Sequence, residues 1–195
     1  MIFKPTPLQD AVIIDVERRG DERGYLARTY CEHEFADNGL VTRFVQASTI
    51  FSPKRNTLRG LHFQKPPHAE VKLVRCTRGA ARVTIVDLRP ESSTYTQWLG
   101  VELSPVNCRL LYVPNGFAQG YQTLVDDTEV MYQMSYEYVA ESASGVRWND
   151  PAFGIEWPPA EQRIISERDQ AWPDYQPRFL PPGARLARAD QLRAG

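Results

Sequence analysis

The sequence predicts an all-β protein built as a sandwich or a barrel. Its apolar stretches are short, and glycine, proline and asparagine separate them, which is typical of strands joined by turns. Helical signals are confined to two short segments. With 195 residues, of which 42% are hydrophobic, the chain is long enough to bury one core. We therefore expect a single domain over residues 1–177, followed by an exposed or partly disordered tail over residues 178–195.

Two strands are predicted on either side of a turn at residues 77–79. In the second strand, Val83 and Ile85 lie on one face, while Val86 and Leu88 lie on the other. Because both faces are apolar, we expect this strand to be at least partly covered on both sides.

Three more strands are predicted further along the chain. Residues 109–114 lead into Asn115-Gly116, a dipeptide that tolerates positive φ in tight turns, and the next strand runs through residues 121–124. The last strand spans residues 129–138. Its even-numbered residues share one face, namely Val130, Tyr132, Met134, Tyr136 and Tyr138.

Two short helices complete the predicted elements. The first runs from Glu32 to Asn38 and ends at the Asn38-Gly39 pair. In the second, Ser166 and Asp169 have the spacing of an N-cap with an acidic residue three positions later.

The composition argues against several kinds of partner. The net charge is −1 and charges of both signs are interspersed, so no extended field would attract nucleic acid or an acidic membrane. No run of 18 or more apolar residues is present, and the first residues lack the apolar core of a secretion signal. Cys31, Cys76 and Cys108 form no C-x-x-C pattern, which favours a reduced protein in the cytoplasm.

A cluster of basic side chains marks the candidate site. The segment Arg59-Gly60-Leu61-His62-Phe63-Gln64 is followed by Lys72-Leu73-Val74-Arg75, within what we interpret as one β-hairpin. An imidazole can remove a proton from a substrate, and an amine can stabilise the negative charge left behind. On residue type alone, a core histidine bonded to a backbone carbonyl is the commoner arrangement for His62.

Seven motifs, taken in order, carry a resemblance to a known family. They are Asp21-x-Arg23-Gly24, Leu58-Arg59-Gly60-Leu61-His62-x-Gln64, Lys72-Leu73-Val74-Arg75, Val86-Asp87-Leu88-Arg89, Val113-Pro114-x-Gly116-Phe117-Ala118-x-Gly120, Trp148-Asn149-Asp150-Pro151 and Ser166-x-x-Asp169. From about residue 5 to about residue 175, the chain resembles the dTDP-4-dehydrorhamnose 3,5-epimerase family. The resemblance implies a cupin-type jelly roll, usually homodimeric, that binds a nucleoside-diphosphate 4-keto-6-deoxy sugar and needs no cofactor.

The resemblance also implies four catalytic roles. His62 is the base that removes a proton beside the ketone, since an ordinary imidazole, with a pKa of about 6.5, is mostly neutral at pH 7. Asp169 orients His62, and Lys72 stabilises the enolate at the C4 oxygen. Tyr132 is the acid on the opposite face of the sugar.

Further residues match the family's substrate contacts. Arg23 and Arg59 would bind the diphosphate, for which planar bidentate donors are suited. Tyr138 would stack on the base, and Gln46 and Arg168 would contact the nucleotide or the sugar.

Each role has a structural alternative. Asp169 could serve only as part of the helix cap begun by Ser166, and Tyr132 could simply pack with its apolar neighbours. Lys72 and the arginines could be ordinary solvated charges.

A metal site is not expected. Metal-binding cupins typically use His-x-His with a downstream acid and a third histidine, and here Gln64 and Gln119 occupy two of the histidine positions. His62 and Glu70 would give at most two ligands, one fewer than catalytic metal sites usually have.

Four positions depart from the family pattern. Gln119 replaces a histidine, so it can still contact the substrate through hydrogen bonds but cannot carry a charge at pH 7. Arg28 and Ala143 replace acids, and Ser48 replaces an asparagine. These changes leave open which base and sugar are bound and which carbons are epimerised.

Three functional hypotheses follow. The leading one is an epimerase that acts at C3, C5 or both by proton abstraction and reprotonation through an enolate. The second is a relative that moves the carbonyl between C3 and C4, as a 3,4-ketoisomerase does. The third is a non-catalytic protein that binds nucleotide sugars.

Overall fold

Strands dominate the part of the chain that the structure describes. The computed structural model describes residues 1–177, and the predicted tail over residues 178–195 lies outside the described residues. In chain order the elements are β1 (Ile2–Pro5), β2 (Val12–Asp15), β3 (Arg18–Asp21), β4 (Gly24–Ala27), α1 (Glu32–Asp37), β5 (Gln46–Ser52), β6 (Leu58–Gln64), β7 (Lys72–Arg78), β8 (Ala81–Asp87), β9 (Trp98–Leu103), β10 (Leu110–Val113), β11 (Phe117–Thr123), β12 (Thr128–Met134), β13 (Ala143–Gly145) and α2 (Glu167–Gln170).

Two antiparallel sheets form the body of the fold. One has the strand order β1-β2-β10-β7-β12-β5, and the other has the order β13-β6-β11-β8-β9. β3 and β4 form a separate two-stranded hairpin. The chain changes sheet between β6 and β7 and again between β7 and β8, as expected for a jelly roll. The predicted all-β jelly-roll sandwich is confirmed.

The main hydrophobic core lies between the two sheets. Val74 of β7 packs in the same cluster as Val83 and Ile85 of β8, and all three are fully buried. The opposite face of β8 is also covered, because Val86 belongs to a second cluster, against which Leu88 packs just beyond the end of the strand. The predicted alternation of β8 is therefore confirmed.

The predicted hairpin that joins His62 and Lys72 is wrong. β6 carries His62 in the five-stranded sheet, whereas β7 carries Lys72 in the six-stranded sheet. β6 pairs with β11 and β13, and β7 pairs with β10 and β12. The Lys72 side chain therefore reaches the His62 backbone carbonyl from the opposite sheet.

The predicted strand over residues 129–138 is shorter in the structure. β12 ends at Met134, which pairs with Gln46, the first residue of β5, and with Lys72, the first residue of β7. Because both neighbouring strands begin there, regular strand pairing of β12 ends at Met134. Tyr138 consequently lies in the loop that follows β12.

Both predicted helices are confirmed. α1 has Asn38 as its C-cap, and Gly39 follows with a φ of +69°. At the start of α2, the Ser166 side chain accepts a hydrogen bond from the Asp169 N–H. Neither helix, nor any other in residues 1–177, is long and apolar enough to cross a membrane.

Candidate active site

A cavity of about 550 Å³ lies between the two sheets. Its lining includes His62 of β6 on one wall, and Lys72 of β7 and Tyr132 of β12 on the other. Asp169 and Arg168 of α2 also line the cavity. The structure thus brings all four predicted catalytic residues to one cavity, with the imidazole and the phenol on facing walls.

His62 and Asp169 form a tight pair. The Nε2 atom of His62 lies 2.6 Å from Oδ1 of Asp169. The Gly60 N–H donates to the other carboxylate oxygen at 3.0 Å, and Asp169 is 4% exposed. Because Ser166 caps α2 through the Asp169 backbone, the helix cap and the contact with His62 coexist.

The carboxyl of Asp169 is held in its ionised form. Burial would raise its pKa, but the hydrogen bonds from His62 and from the Gly60 N–H outweigh burial, so the pKa lies below its usual range. The ionised carboxylate of Asp169 fixes the orientation of the imidazole ring.

β6 and β11 approach unusually closely beside this pair. Gly60 has a φ of +110°, and a Cβ added there would lie 2.6 Å from the Gly120 Cα atom. The β6–β11 register also shifts at this point. A side chain at Gly60 would push β11 away, so glycine is needed to place the Gly60 N–H against Asp169.

Lys72 is buried beside a carboxylate. Its Nζ atom lies 2.9 Å from Oε1 of Glu70 and donates to the His62 carbonyl at 3.3 Å. The Lys72 side chain is 10% exposed, so it is not an ordinary solvated charge. The Lys72 ammonium is therefore held between the two sheets, in contact with the backbone of β6.

Tyr132 packs against the core and lines the cavity at the same time. It is partly buried, and it follows Val130 and precedes Met134 on the face of β12 that borders the cavity. The packing alternative and the cavity position are thus both true of this side chain.

Four predicted substrate contacts also line the cavity. They are Arg59, Gln119, Tyr138 and Arg168. Arg59 donates to Ser52 Oγ at 3.4 Å, and the Arg168 guanidinium lies 5.6 Å from the centre of the Trp172 ring. Gln119 pairs with His62 in the β6–β11 ladder, and both residues line the cavity.

Two predicted contacts, Arg23 and Gln46, are not brought to the cavity lining. Arg23 follows β3 at the tip of the β3–β4 hairpin, where its side chain is 84% exposed and pairs with Asp21. The Gln46 side chain accepts a hydrogen bond from the Tyr138 N–H at 2.9 Å, so it supports the backbone of Tyr138.

Of the four positions that depart from the family pattern, two line the cavity and two do not. Gln119 and Ala143 line the cavity. Arg28 lies outside the lining, where it pairs with Glu34 at 2.9 Å, and Ser48 lies on β5 opposite Tyr132.

Three residues that line the cavity, Gln64, Glu70 and Tyr121, were given no catalytic or substrate-binding role from the sequence. Gln64 is 4% exposed, accepts from the Val139 N–H at 2.6 Å and donates to two backbone carbonyls, so it ties the loop after β12 to β6. Glu70 contacts Lys72. Tyr121 lies 3.4 Å from Ser52 Oγ, and burial raises the pKa of its phenol. For Gln64, the sequence did carry a signal. It follows His62 by two positions on one strand, and residues at that spacing share a face.

Residues 1–177 contain no group of three histidine, cysteine, aspartate or glutamate side chains placed to hold a metal ion. His62 and Asp169 instead satisfy each other.

A two-sheet jelly roll with a polar cavity between its sheets is a cupin-type fold. The model of the family described as dTDP-4-dehydrorhamnose 3,5-epimerase matches residues 5–176. The enzyme of that name from Methanothermobacter thermautotrophicus is 45% identical over 172 residues, which are 87% of this chain and 92% of the relative.

Solved structures give the same result. The crystal structure of dTDP-4-dehydrorhamnose 3,5-epimerase from Elizabethkingia anophelis is 40% identical, with a TM-score of 0.87 over 90% of this chain and 96% of that chain. The one from Bacillus anthracis, with TDP and PPi bound, is 40% identical, with a TM-score of 0.85 over 89% of this chain and 100% of that chain. The chain belongs to the dTDP-4-dehydrorhamnose 3,5-epimerase family. It is an isomerase that epimerises a nucleotide sugar.

Proposed function

We propose that this enzyme inverts a nucleoside-diphosphate 4-keto-6-deoxy sugar at C3, C5 or both, through an enolate and without a cofactor. The observation that supports this most strongly is the placement of His62 and Tyr132 on facing walls of one cavity, with Lys72 beside them. Inversion needs a base on one face of a carbon and an acid on the other, and this arrangement supplies both.

The first step belongs to His62. A hydrogen on a carbon beside the C4 ketone is acidic, because the electron pair left behind spreads into the carbonyl as an enolate. His62 takes this proton, and the ionised Asp169 stabilises the resulting imidazolium. An ammonium has three donors, of which Glu70 and the His62 carbonyl accept two. The third donor of Lys72 offsets the charge that develops on the C4 oxygen.

The second step belongs to Tyr132. Its phenol delivers a proton to the opposite face of the same carbon, which inverts the configuration. The transfer leaves His62 protonated and Tyr132 deprotonated, and exchange with solvent restores both. The His62 side chain is 44% exposed, so this exchange is open to water.

Residues at the cavity rim bind the rest of the substrate. Arg59 contributes a guanidinium for the diphosphate, and Arg168 and Gln119 contact the nucleotide or the sugar. Tyr138 is 53% exposed and presents a ring on which the base stacks. The TDP in the Bacillus anthracis structure supports thymidine diphosphate as the nucleotide.

The role of Arg23 requires a second copy of the chain. Arg23 lies outside the cavity of its own chain, on a hairpin that also exposes Tyr25 and Leu26. We propose that the protein is a homodimer in which this hairpin reaches the partner's cavity. Measurement of the mass in solution by light scattering tests the dimer, and a monomeric mass for the active protein would contradict it.

We propose that the enzyme works in the cytoplasm. Cys31, Cys76 and Cys108 are free thiols in the structure, as expected for a reducing compartment. Burial raises the pKa of Cys76 to about 11, which keeps that thiol protonated and unreactive at neutral pH.

Neither alternative function is favoured by an observation. A 3,4-ketoisomerase needs no acid on the opposite face, and a binding protein needs no buried carboxylate behind His62. The family match instead favours epimerisation.

Product analysis in heavy water tests the proposal. The enzyme is incubated with thymidine, cytidine, guanosine and uridine diphosphate 4-keto-6-deoxy sugars, and the products are examined by NMR. We expect deuterium at an inverted carbon with the thymidine-linked substrate. A product with the carbonyl at C3 would show a ketoisomerase, and no exchange with any of the four would contradict catalysis.

A further inference from the structure

Glu70 stands out among the cavity residues because half of its carboxylate is unsatisfied. Its side chain is 3% exposed and lines the cavity beside Lys72. Oε1 is paired with the Lys72 ammonium at 2.9 Å. Oε2 is buried and has no hydrogen-bond partner within residues 1–177.

This unpaired oxygen differs in its location from the two other buried polar atoms that lack a partner in residues 1–177. Within the described part of the chain, the remaining buried side-chain atoms without a partner are Nε of Arg82 and Nε1 of Trp172, and neither residue lines the cavity. A buried carboxylate oxygen without a donor is costly. At the wall of a substrate cavity, such an oxygen is suited to a donor that the ligand supplies.

The chemistry of the sugar identifies that donor, on the basis of the proposed function. In the proposed mechanism Lys72 contacts the C4 oxygen, and Oε1 of Glu70 forms an ion pair with Lys72. C4 has two neighbours, of which C5 carries the ring oxygen and a methyl group, whereas C3 carries a hydroxyl. A carboxylate only accepts hydrogen bonds, so the donor it can use next to C4 is the C3 hydroxyl.

We infer that Glu70 is a specificity-determining residue whose Oε2 accepts a hydrogen bond from the hydroxyl on C3 of the sugar. Lys72 and Glu70 together then form an ammonium and a carboxylate side by side, which match a carbonyl oxygen and a hydroxyl on adjacent carbons. A sugar that lacks oxygen at C3 would leave Oε2 unpaired and would be bound less tightly.

Binding of two unreactive ligands tests this inference. The first is a thymidine-diphosphate 6-deoxyhexose with a hydroxyl on C4, which cannot form the enolate, and the second is its 3-deoxy analogue. Their dissociation constants are measured by calorimetry for the wild type, Glu70→Met and Glu70→Gln. Glu102→Gln is the matched control, because Glu102 is exposed on β9 and outside the cavity lining.

We expect the wild type and Glu102→Gln to prefer the first ligand by about 10- to 100-fold, as for a hydrogen bond to a charged group. In Glu70→Met the preference should fall to near unity, and in Glu70→Gln, which keeps a neutral acceptor of the same shape, it should be intermediate. Should Glu70→Met not fold, a reduced preference in Glu70→Gln carries the test.

An undiminished preference in the Glu70 variants would overturn the inference, as would a wild type without preference. Loss of affinity for both ligands to the same extent would also overturn it, since that pattern indicates a purely structural role. Failure of the proposed function is recognised separately, because it appears as absent deuterium exchange in the wild type with the 4-keto substrate.

Discussion

Asp169 holds the imidazole ring of His62 in place and puts a negative charge beside it. The carboxylate is buried, receives hydrogen bonds from the imidazole and from the Gly60 N–H, and is ionised at neutral pH because its pKa is lowered. In the proposed mechanism, this charge offsets the positive charge that His62 gains when it removes a proton. The amide of an asparagine has the same shape but cannot do this.

Asp169→Asn tests this pairing at the residue scale. We expect kcat to fall by roughly 10²-fold, since the imidazolium is no longer stabilised, while KM changes little. Steady-state kinetics with the 4-keto nucleotide sugar measure both values. Glu167→Gln, at the exposed first position of α2, is the control and should behave as the wild type. An Asp169→Asn variant with wild-type kcat would contradict the role of the carboxylate.

Single residues also show where sequence reasoning succeeded and failed. His62, Lys72, Tyr132 and Asp169 were all assigned to one site from the resemblance to the family, and all four line one cavity. Arg23 was assigned to the same site but lies on the separate β3–β4 hairpin, outside the cavity lining, because the order of motifs in a sequence does not fix where a hairpin lies relative to the two sheets.

The contact between β6 and β11 is the element-scale feature on which the site depends. Gly60 and Gly120 let the two backbones approach, and the close approach carries the Gly60 N–H to Asp169. Gly60 also has a φ of +110°, which a residue with a side chain adopts only with strain.

Gly60→Ala is expected to lower the free energy of unfolding by at least about 2 kcal/mol, because steric overlap and backbone strain act together. Urea unfolding measures the change. Gly39→Ala is the matched control, since Gly39 also has positive φ but a Cβ there meets nothing within 4 Å. The control should lose only about 1 kcal/mol. Equal losses in the two variants would show that the close approach is unimportant.

The individual strands and helices were easier to predict from the sequence than the pairing of the strands. The alternation along β8 and the caps of both helices depend on residues close in sequence, and the structure bears them out. The assignment of β6 and β7 to one hairpin failed, because the choice of sheet is decided by pairing with β11 and β12, far away in the chain. The end of β12 depends in the same way on where its neighbours begin.

At the scale of the whole molecule, buried carboxylates link stability to pH. Asp87 is fully buried, and burial would raise its pKa, but the hydrogen bonds from Arg89, Ser92 and Thr94 outweigh burial and lower it. Asp169 behaves in the same way. Arg89 also reaches Asp10, so this network joins the end of β8 to the turn before β2.

The sign of the pH dependence follows from these lowered pKa values. The stability that Asp87 and Asp169 contribute is fully present above the unfolded pKa of about 3.9, and it is lost as pH falls through the lower folded values. We expect the free energy of unfolding to drop steadily below about pH 4. Urea unfolding between pH 7 and pH 3 measures it.

Asp87→Asn should be less stable at pH 7 and should show a shallower loss in acid, since one of the titrating groups is gone. Stability that rises between pH 5 and pH 3, or an unchanged slope in Asp87→Asn, would contradict this assignment.

The jelly roll as a whole explains why proton transfer from two faces is possible. Two sheets of different strands enclose one cavity, so the proposed base on β6 and the proposed acid on β12 face it from opposite sides. No single hairpin could provide this geometry.

The most direct test separates exchange from inversion in heavy water. In Tyr132→Phe, His62 should still remove and return a proton on its own face, so deuterium should enter the sugar with retained configuration while inversion falls by about 10²-fold or more. In His62→Gln, both exchange and inversion should fall by roughly 10²–10⁴-fold. Exchange at the wild-type rate in His62→Gln, or inversion at the wild-type rate in Tyr132→Phe, would contradict the two-face account.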